Sequence, residues 1–388
     1  MISRNIKFKN FSNNSNNKNI KKIFNEVKNK LITQKNGIFL SLTKKYQYSY
    51  DRKIVNKYKK FNNFNLIGMG GSILGAKAIN QFLKHKIKKN FSFVDNLNSN
   101  LDIKKKNCVN LIISKSGNTL ETICNSNLFL NKTKNIFIVE NNNNYLRNLA
   151  FELKSDIVKH NNFIGGRYSV LSEVGMLPAE LMGLDNNKFK RLNYLINNKN
   201  FVQSLIKNVA CTLNLLNKKN NLSIILNYDQ RSENLFKWYQ QLIAESLGKK
   251  SKGILPIISD MPKDNHSLMQ FYLDGPKKCF YTFFSVAEKN SNKINSNKLL
   301  QSYSYLKNKK FSQIVNAQIL ATQNVFKKKK IPFRSFKILK RSEESLGELF
   351  CFFVLETILL GRALKVNPFD QPSVELIKKE TKRILLSN

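Results

Sequence analysis

The stretch that decides the fold is Val109–Thr122, which reads VNLIISKSGNTLET. It begins as an apolar, β-branched run typical of a buried strand and then changes to serines, a lysine, a glycine and a threonine. Apolar residues at helical spacing follow it. The pattern predicts a strand, a polar turn and a helix whose first N–H groups and dipole favour an anion. With their hydroxyls, Ser114, Ser116 and Thr119 make this turn a candidate phosphate site.

A second turn of the same kind lies upstream, where Asn65–Ile67 leads into GMGGSILG at residues 68–75. Apolar residues at helical spacing follow this turn as well. Both turns are therefore predicted at the carboxyl ends of strands, where α/β sheets bind ligands. Gly71 and Ser72 are the candidate ligand-binding residues of the second turn. Two such turns imply a phosphorylated ligand.

The glycine turn also raises the alternative of a dinucleotide site, with Asp95 after the next strand in the place of a ribose-binding carboxylate. The glycine spacing does not fit this alternative. Gly68 and Gly70 require a third glycine at position 73, which is Ile73. The sequence therefore favours phosphate binding over NAD binding.

Apolar runs and amphipathic stretches alternate along most of the chain, which is typical of parallel sheets covered by helices on both faces. We predict an α/β protein with two doubly wound, flavodoxin-like parallel-sheet domains and helical N- and C-terminal arms. The predicted units are an N-terminal arm, a first domain that carries both polar turns, a second domain and a C-terminal helix, at residues 1–60, 61–200, 201–365 and 366–388.

The chain is strongly basic, with a formal net charge of +41 over 388 residues. Only ten of its 66 basic residues are arginine, and the lysines are spread along the whole length among many asparagines. Nucleic-acid-binding proteins usually concentrate Arg and Lys on one face. A compositional drift toward Lys and Asn explains the charge better, so we expect no nucleic-acid partner.

The five cysteines are far apart and never in CxxC spacing. They predict reduced thiols in a cytoplasmic protein and give no disulfide framework or metal site. The longest apolar stretch, Leu349–Leu360, contains Glu356 and is too short to span a bilayer. We therefore expect a buried helix there and no membrane partner.

Three residues are candidates for acid–base and electrostatic roles. Glu245 lies in the last predicted turn of a helix, off its apolar stripe and on the side of Gln241, where it could act as a base or pair with Lys249. His266 is predicted in the first turn of a helix capped by Asp264, where a proton-transfer role and a structural role are both open. Arg167 follows Gly165 and Gly166 and could stabilise an oxyanion or remain an exposed residue of a capping turn.

Taken together, the motifs resemble the phosphoglucose isomerase family of enzymes with two sugar-isomerase domains. The resemblance covers about residues 66–385, with the pieces in the family's order. The pieces are GMGGSILG, SKSGNTLET, GGRYSVLSEVG, YDQRSENLFKWYQQLIAESLGK, DNHSLMQFYLDGP and NPFDQPSVELIKKE.

The resemblance implies an aldose–ketose isomerisation between glucose 6-phosphate and fructose 6-phosphate through a cis-enediol, in glycolysis and gluconeogenesis, without a metal or organic cofactor. By motif position, Glu245 is implied as the base, Arg167 as the residue that stabilises the enediolate, and His266 with Lys378 as assistants of ring opening. Further residues are implied around the phosphate and the sugar, namely Gly71, Ser72, Ser114, Lys115, Ser116, Thr119 and Gln371.

The resemblance also implies a homodimer in which His266 acts in the neighbouring subunit's site. Two alternatives remain: an isomerase that also accepts mannose 6-phosphate, and a phosphosugar-binding protein without catalysis. The last motif departs from the family's pattern, because Ser373 and Ile377 stand where glycines are expected. A backbone shift there would move Lys378.

Overall fold

The computed structural model describes residues 1–12, 17–33, 37–98, 107–130, 134–288 and 290–387. Its strands are β1 (Ile6–Lys9), β2 (Asn63–Gly68), β3 (Asn90–Val94), β4 (Cys108–Ile113), β5 (Asn135–Val139), β6 (Asp156–Lys159), β7 (Leu222–Asn227), β8 (Leu255–Asp260), β9 (Cys279–Val286) and β10 (Phe333–Ile338). Its helices are α1 (Lys18–Thr33), α2 (Ile38–Ser41), α3 (Arg52–Tyr58), α4 (Leu74–Phe82), α5 (Leu120–Phe129), α6 (Tyr145–Glu152), α7 (Glu173–Leu181), α8 (Asn186–Phe189), α9 (Leu192–Ile196), α10 (Lys199–Asn217), α11 (Glu233–Leu247), α12 (Met269–Asp274), α13 (Phe311–Lys328), α14 (Glu343–Ala363) and α15 (Val374–Ser387).

The first sheet is parallel throughout, in the order β3-β2-β4-β5-β6. Every residue of β4 and of β5 is buried, because helices cover both faces of the sheet. Burial on both faces is the reason why these strands are continuous apolar runs. The predicted α/β fold with two doubly wound domains is confirmed.

The second sheet has the order β1-β10-β9-β7-β8, and β1 is its one antiparallel strand among the residues described. Neither the edge strand β1 nor its neighbour β10 is predicted from the sequence. β10 contains Arg334, which is buried although it is charged. A charged residue in the strand interrupts the apolar run by which buried strands are recognised in a sequence. Four polar groups surround this guanidinium, on Thr282, Asn208, Glu356 and Tyr239.

Helix α14 is the predicted buried helix, and nearly all of its residues are inaccessible to solvent. Its Glu356 is the carboxylate that pairs with Arg334 of β10. Within the described ranges, no helix is both long and apolar enough to cross a membrane.

Helices α4 and α11 pack against each other in antiparallel orientation and join the two domains. At one end, Gln81 of α4 donates to the carbonyl of Gln230 and accepts from the N–H of Asn234 near the start of α11. At the other end, Gly70, just before α4, lies against Gln241 in the second half of α11. The amino end of α4 therefore meets the carboxyl end of α11, and a cleft of about 630 Å³ lies between the two helices there.

Four helices end in a lysine with a positive φ, between 48° and 63°: these are Lys154, Lys219, Lys330 and Lys365. After each lysine, the next N–H reaches back to a carbonyl of the last helical turn, as Ser155 does to Ala150 at 2.9 Å. Glycine is the usual residue at this position, because a side chain raises the energy of left-handed backbone. The lysine charge at the negative end of the helix dipole offsets part of that energy.

We predict that Lys154→Gly stabilises the protein. Removing the Cβ from a left-handed residue relieves about 1 kcal/mol, more than the few tenths lost with the exposed charge. Chemical unfolding should show a higher midpoint for Lys154→Gly than for the parent. Lys154→Ala is the matched control, because it removes the charge and keeps the Cβ; equal midpoints for the two variants would contradict the prediction.

Candidate active site

The two predicted polar turns lie side by side at one edge of the first sheet. Strands β2 and β4 are neighbours, and Gly68 at the end of β2 is level with Ile113 at the end of β4. Beyond the first turn the chain continues to β3 on one side of β2, and beyond the second it continues to β5 on the other side of β4. The turns therefore flank the point where the strand order reverses, which is where open α/β sheets bind ligands.

The glycine turn forms one wall of the site through a close backbone contact. A Cβ on Gly71 would lie 2.2 Å from the carbonyl carbon of Gly166 and 2.4 Å from the nitrogen of Arg167. Only a residue without a side chain fits between these segments. Gly71 therefore sets the distance between the first polar turn and the turn that carries Arg167, and Ser72 is buried beside it.

The serine turn brings two hydroxyls together. Ser114 Oγ and Thr119 Oγ1 are 2.9 Å apart, and Thr119 makes no side-chain cap to helix α5, which begins at the next residue. Ser116 is exposed, and its Oγ accepts from the N–H of Asn118 at 3.3 Å. Hydroxyls and a helix N-terminus at one place form a suitable anion site.

Lys115 extends away from the serine turn. Its Nζ donates to the carbonyl oxygen of Asn162 at 2.8 Å and lies 3.5 Å from Glu140 Oε1. The structure therefore holds this lysine at the rim of the turn by contacts with the segments that follow β5 and β6.

Arg167 is the most extensively bonded residue of the site, and its side chain is 1% exposed. Its Nε donates to Ser246 Oγ at 2.8 Å, and an Nη1–H donates to the amide oxygen of Gln371. Nη1 also lies 3.2 Å from Glu245 Oε1, and Nη2 donates to the carbonyl oxygens of Pro368 and Asp370 at 2.8 and 3.0 Å. A guanidinium has five N–H donors, and five acceptors surround this one. The alternative of an exposed arginine is wrong.

Glu245 lies in the last turn of α11, as predicted, with both carboxylate oxygens in contact with donors. Gln241 Nε2 donates to Oε2 at 2.9 Å, and Arg167 contacts Oε1. The side chain remains 20% exposed, toward the cleft between α4 and α11. Lys249 pairs with Asp370 at 2.7 Å, so the alternative Glu245–Lys249 pair does not form. A reachable carboxylate beside a buried guanidinium can transfer a proton while the guanidinium stabilises negative charge.

The predicted environment of His266 is wrong in its local structure. Helix α12 begins only at Met269, and His266 is exposed at the end of a 3₁₀ turn over Lys263–Asn265. Asp264 does not cap a helix at this point, because its carboxylate accepts from Ser259 Oγ and from the N–H of Asp260 at the end of β8.

His266 and Glu245 of one chain lie at opposite ends of the second sheet. Gln240 of α11 donates to the carbonyl of Pro256 at the amino end of β8, and Glu245 lies further along α11 in the same direction. His266 follows Asp260, the carboxyl end of β8. The strand between Pro256 and Asp260 alone spans about 13 Å.

The C-terminal residues divide into two groups. Gln371 is in the site, where it accepts from Arg167. Lys378 is not: it lies on α15 with 60% of its side chain exposed and pairs with Glu375 at 2.7 Å.

Ser246 and Tyr168, which sequence reasoning did not single out, also belong to the site, because their hydroxyls are 2.9 Å apart beside Arg167.

No group of three or more metal-ligating side chains occurs in the part of the chain that the structure describes. The polar groups around Arg167 and the two turns are instead hydroxyls, the guanidinium itself, the Glu245 carboxylate, the amides of Gln241 and Gln371, and the Lys115 ammonium at the rim. This set suits an anionic, polyhydroxylated ligand.

We predict that Gly71→Ala lowers the stability of the protein by about 1–3 kcal/mol, the usual cost of overpacking. The new Cβ would force apart the glycine turn and the Arg167 turn. Gly165→Ala is the matched control, because the nearest atom to its Cβ is a Tyr168 ring carbon at 3.6 Å. Thermal unfolding of both variants tests this; equal melting temperatures would contradict it.

Comparison with known proteins places the chain in one family. The family model described as phosphoglucose isomerase matches residues 52–387. A glucose-6-phosphate isomerase of Mycoplasmopsis pulmonis is 34% identical over 357 residues, which cover 82% of each chain. One from Methanocaldococcus jannaschii is 31% identical over 367 residues, which cover 87% of this chain and 88% of that protein.

Solved structures share the fold. A hypothetical protein of Thermus thermophilus superposes with a TM-score of 0.80 at 23% identity, covering 95% of this chain and 96% of that one. A glucose-6-phosphate isomerase of Chlamydia trachomatis has a TM-score of 0.70 at 19% identity, covering 86% and 71%. The match of the family model over most of the chain, together with relatives above 30% identity, shows that this protein belongs to the phosphoglucose isomerase family.

Proposed function

We propose that this protein catalyses the reversible isomerisation of glucose 6-phosphate and fructose 6-phosphate. The observation that carries the proposal is the contact of 3.2 Å between Glu245 and Arg167 at the edge of an open cleft. Membership of the phosphoglucose isomerase family supports the choice of substrate. The reaction belongs to glycolysis and gluconeogenesis, and we place it in the cytoplasm.

The proposed chemistry is a proton transfer between two adjacent carbons. Glu245 removes the C2 proton of the open-chain aldose, the electron pair forms the C1–C2 double bond, and charge moves to the carbonyl oxygen, where Arg167 stabilises it. A hydroxyl proton passes from O2 to O1, and Glu245 returns its proton to C1 as O2 becomes the ketone oxygen. Gln241 and Arg167 hold the two carboxylate oxygens of Glu245 in place throughout.

The substrate phosphate is assigned to the serine turn. Ser114, Thr119 and the first N–H groups of α5 form the centre of this phosphate site, with Ser72 of the glycine turn beside them. Ser116 and Lys115 flank the site from its exposed side, and Gly71 brings the backbone of the glycine turn close to the ligand. Gln371 borders the sugar through its contact with Arg167.

We further propose a homodimer in which His266 assists ring opening in the partner's site. The separation of His266 from Glu245 within one chain supports this arrangement, because the two residues lie at opposite ends of the second sheet. Exposed apolar side chains on α15 support a covering partner as well; they include Leu376, Ile377 and Leu386, each at least 69% exposed. We assign Lys378 of the same helix to ring opening, which requires α15 to move toward the site.

We expect Glu245→Gln to lower kcat by about 100- to 10,000-fold, because an amide cannot accept the C2 proton. The matched control is Glu152→Gln, which changes an exposed glutamate at the end of α6 that does not line the cleft. Coupled assays in both directions, without added metal, measure the effect. Turnover of Glu245→Gln equal to that of the control would refute the assignment of the base.

Subunit complementation tests the placement of His266. We expect Glu245→Gln and His266→Asn to be inactive alone and to recover about a quarter of the parent activity when they are mixed and allowed to exchange subunits. A mixed dimer has one intact site only if the histidine comes from the partner. If subunit exchange is measured but activity does not recover, His266 acts in the site of its own chain or lies outside any site.

A further inference from the structure

A polar cluster, mostly buried, contacts the turn that carries Arg167 and the segment that holds Lys115. It consists of Tyr46 from the N-terminal arm, Asn161 after β6, Glu173 at the start of α7, and Lys190 after α8. None of these residues belongs to the proposed chemistry.

Lys190 is enclosed almost completely, with 6% of its surface exposed. Its ammonium donates to the carbonyl oxygens of Ser41 and Leu171 and lies 5.2 and 4.9 Å from the ring centroids of Tyr46 and Tyr48. No carboxylate pairs with it within 4 Å in the described residues. Burial lowers the pKa of Lys190 to about 7, which reflects the unfavourable environment of this charge.

The acceptor Leu171 is the last residue of the turn that carries Arg167, at Gly166–Leu171. Near its start, the same turn is held by Trp238 of α11, whose indole N–H donates to the carbonyl of Arg167 at 3.1 Å. Lys190 therefore fixes one end of the Arg167 turn and ties it to Ser41 of the N-terminal arm.

The other half of the cluster leads to Lys115. The Tyr46 hydroxyl donates to Glu173 Oε2 at 2.6 Å, and Glu173 Oε1 accepts from the N–H of Asn161 at 3.0 Å. The Asn161 amide donates to the Tyr46 hydroxyl at 2.7 Å. The next carbonyl, that of Asn162, is the one that holds the Lys115 ammonium.

Burying an unpaired ammonium and a carboxylate is expensive compared with packing apolar side chains in their place. The contacts of the cluster end at two elements of the site. We propose that Lys190 is a positioning residue for Arg167 and that Tyr46, through Glu173 and Asn161, is a positioning residue for Lys115. This inference rests on the roles of Arg167 and Lys115 in the proposed function, and it makes the N-terminal arm part of the support of the site.

The two branches act on different stages of the reaction, so steady-state kinetics can separate them. Arg167 acts on charge that develops only in the transition state, whereas a phosphate contact acts equally on the substrate and the transition state. Lys190→Met should therefore lower kcat by about tenfold or more and change KM by less than about twofold. Tyr46→Phe should raise KM by about threefold or more and change kcat by less than about twofold.

Two further variants make the test specific. Lys190→Gln keeps a donor toward Leu171 and should recover part of the kcat that Lys190→Met loses. Tyr58→Phe is the matched control for Tyr46→Phe, because Tyr58 is also buried in the N-terminal arm and donates to a carboxylate, Asp156 at 2.7 Å, outside the site. The control should leave both kcat and KM unchanged.

The inference would be overturned if Lys190→Met and Tyr46→Phe changed kcat and KM no more than the Tyr58→Phe control does. It would also be overturned if both variants changed kcat and KM in the same way. A failure of Lys190→Gln to exceed Lys190→Met in kcat would overturn it as well. An inactive parent would refute the proposed function instead. In that case the binding of glucose 6-phosphate, measured by calorimetry, still tests the role of Tyr46. Weaker binding to Tyr46→Phe than to Tyr58→Phe would support that role, and equal binding would refute it.

Discussion

The antiparallel packing of α4 on α11 is the constraint on which the candidate site depends. It brings the start of a first-domain helix to the end of a second-domain helix, so the glycine turn and Glu245 face the same cleft. Neither domain alone contains both the turns proposed to bind phosphate and the Glu245 carboxylate. The two ends of the helix pair are fixed by Gln81 and Gln241, which contact backbone groups or glycine on the opposite domain. The site is thus a property of the domain interface.

Much of the fold follows from local sequence, because strands buried on both faces are continuous apolar runs and the turns after them are polar. Prediction failed where a charged side chain interrupts that pattern. Strand β10 carries the buried Arg334, whose charge is balanced by Glu356 and whose other N–H groups donate to Asn208 and Tyr239 from distant elements. Strand β1 is only four residues long and depends on β10 for its hydrogen bonds.

The candidate site shows the same limit. Glu245 and its neighbour Gln241 could be placed on one side of α11 from helical spacing alone, and the structure confirms their contact. The five acceptors around Arg167 could not be predicted from the sequence, because they come from segments about 80 and 200 residues away along the chain. The local structure of His266 was mispredicted because Asp264, a good helix cap by type, is instead bonded to the end of β8.

The excess of lysine is partly explained by position. Four lysines occupy left-handed helix ends where glycine is usual, and Lys249 and Lys252 donate to carbonyls near the C-terminal segment. These uses are local and need no external polyanion. They agree with a drift in composition in which lysine replaces other residues wherever its charge or its donor is tolerated.

The dense surroundings of the Arg167 guanidinium have a consequence for how the site selects its ligand. Four N–H groups of Arg167 are hydrogen-bonded, and the Glu245 carboxylate lies 3.2 Å from Nη1. Because the side chain is buried, an incoming oxygen atom must displace one of these acceptors, such as the amide oxygen of Gln371 or the carboxylate of Glu245. The free energy gained on binding is therefore the difference between that of the new hydrogen bond and that of the hydrogen bond it replaces. A neutral sugar hydroxyl gains little by such an exchange, whereas an oxygen that carries a full negative charge gains much more. If Arg167 contacts the enediolate as we propose, this exchange makes the site discriminate by charge, in favour of the intermediate over the sugar that precedes it.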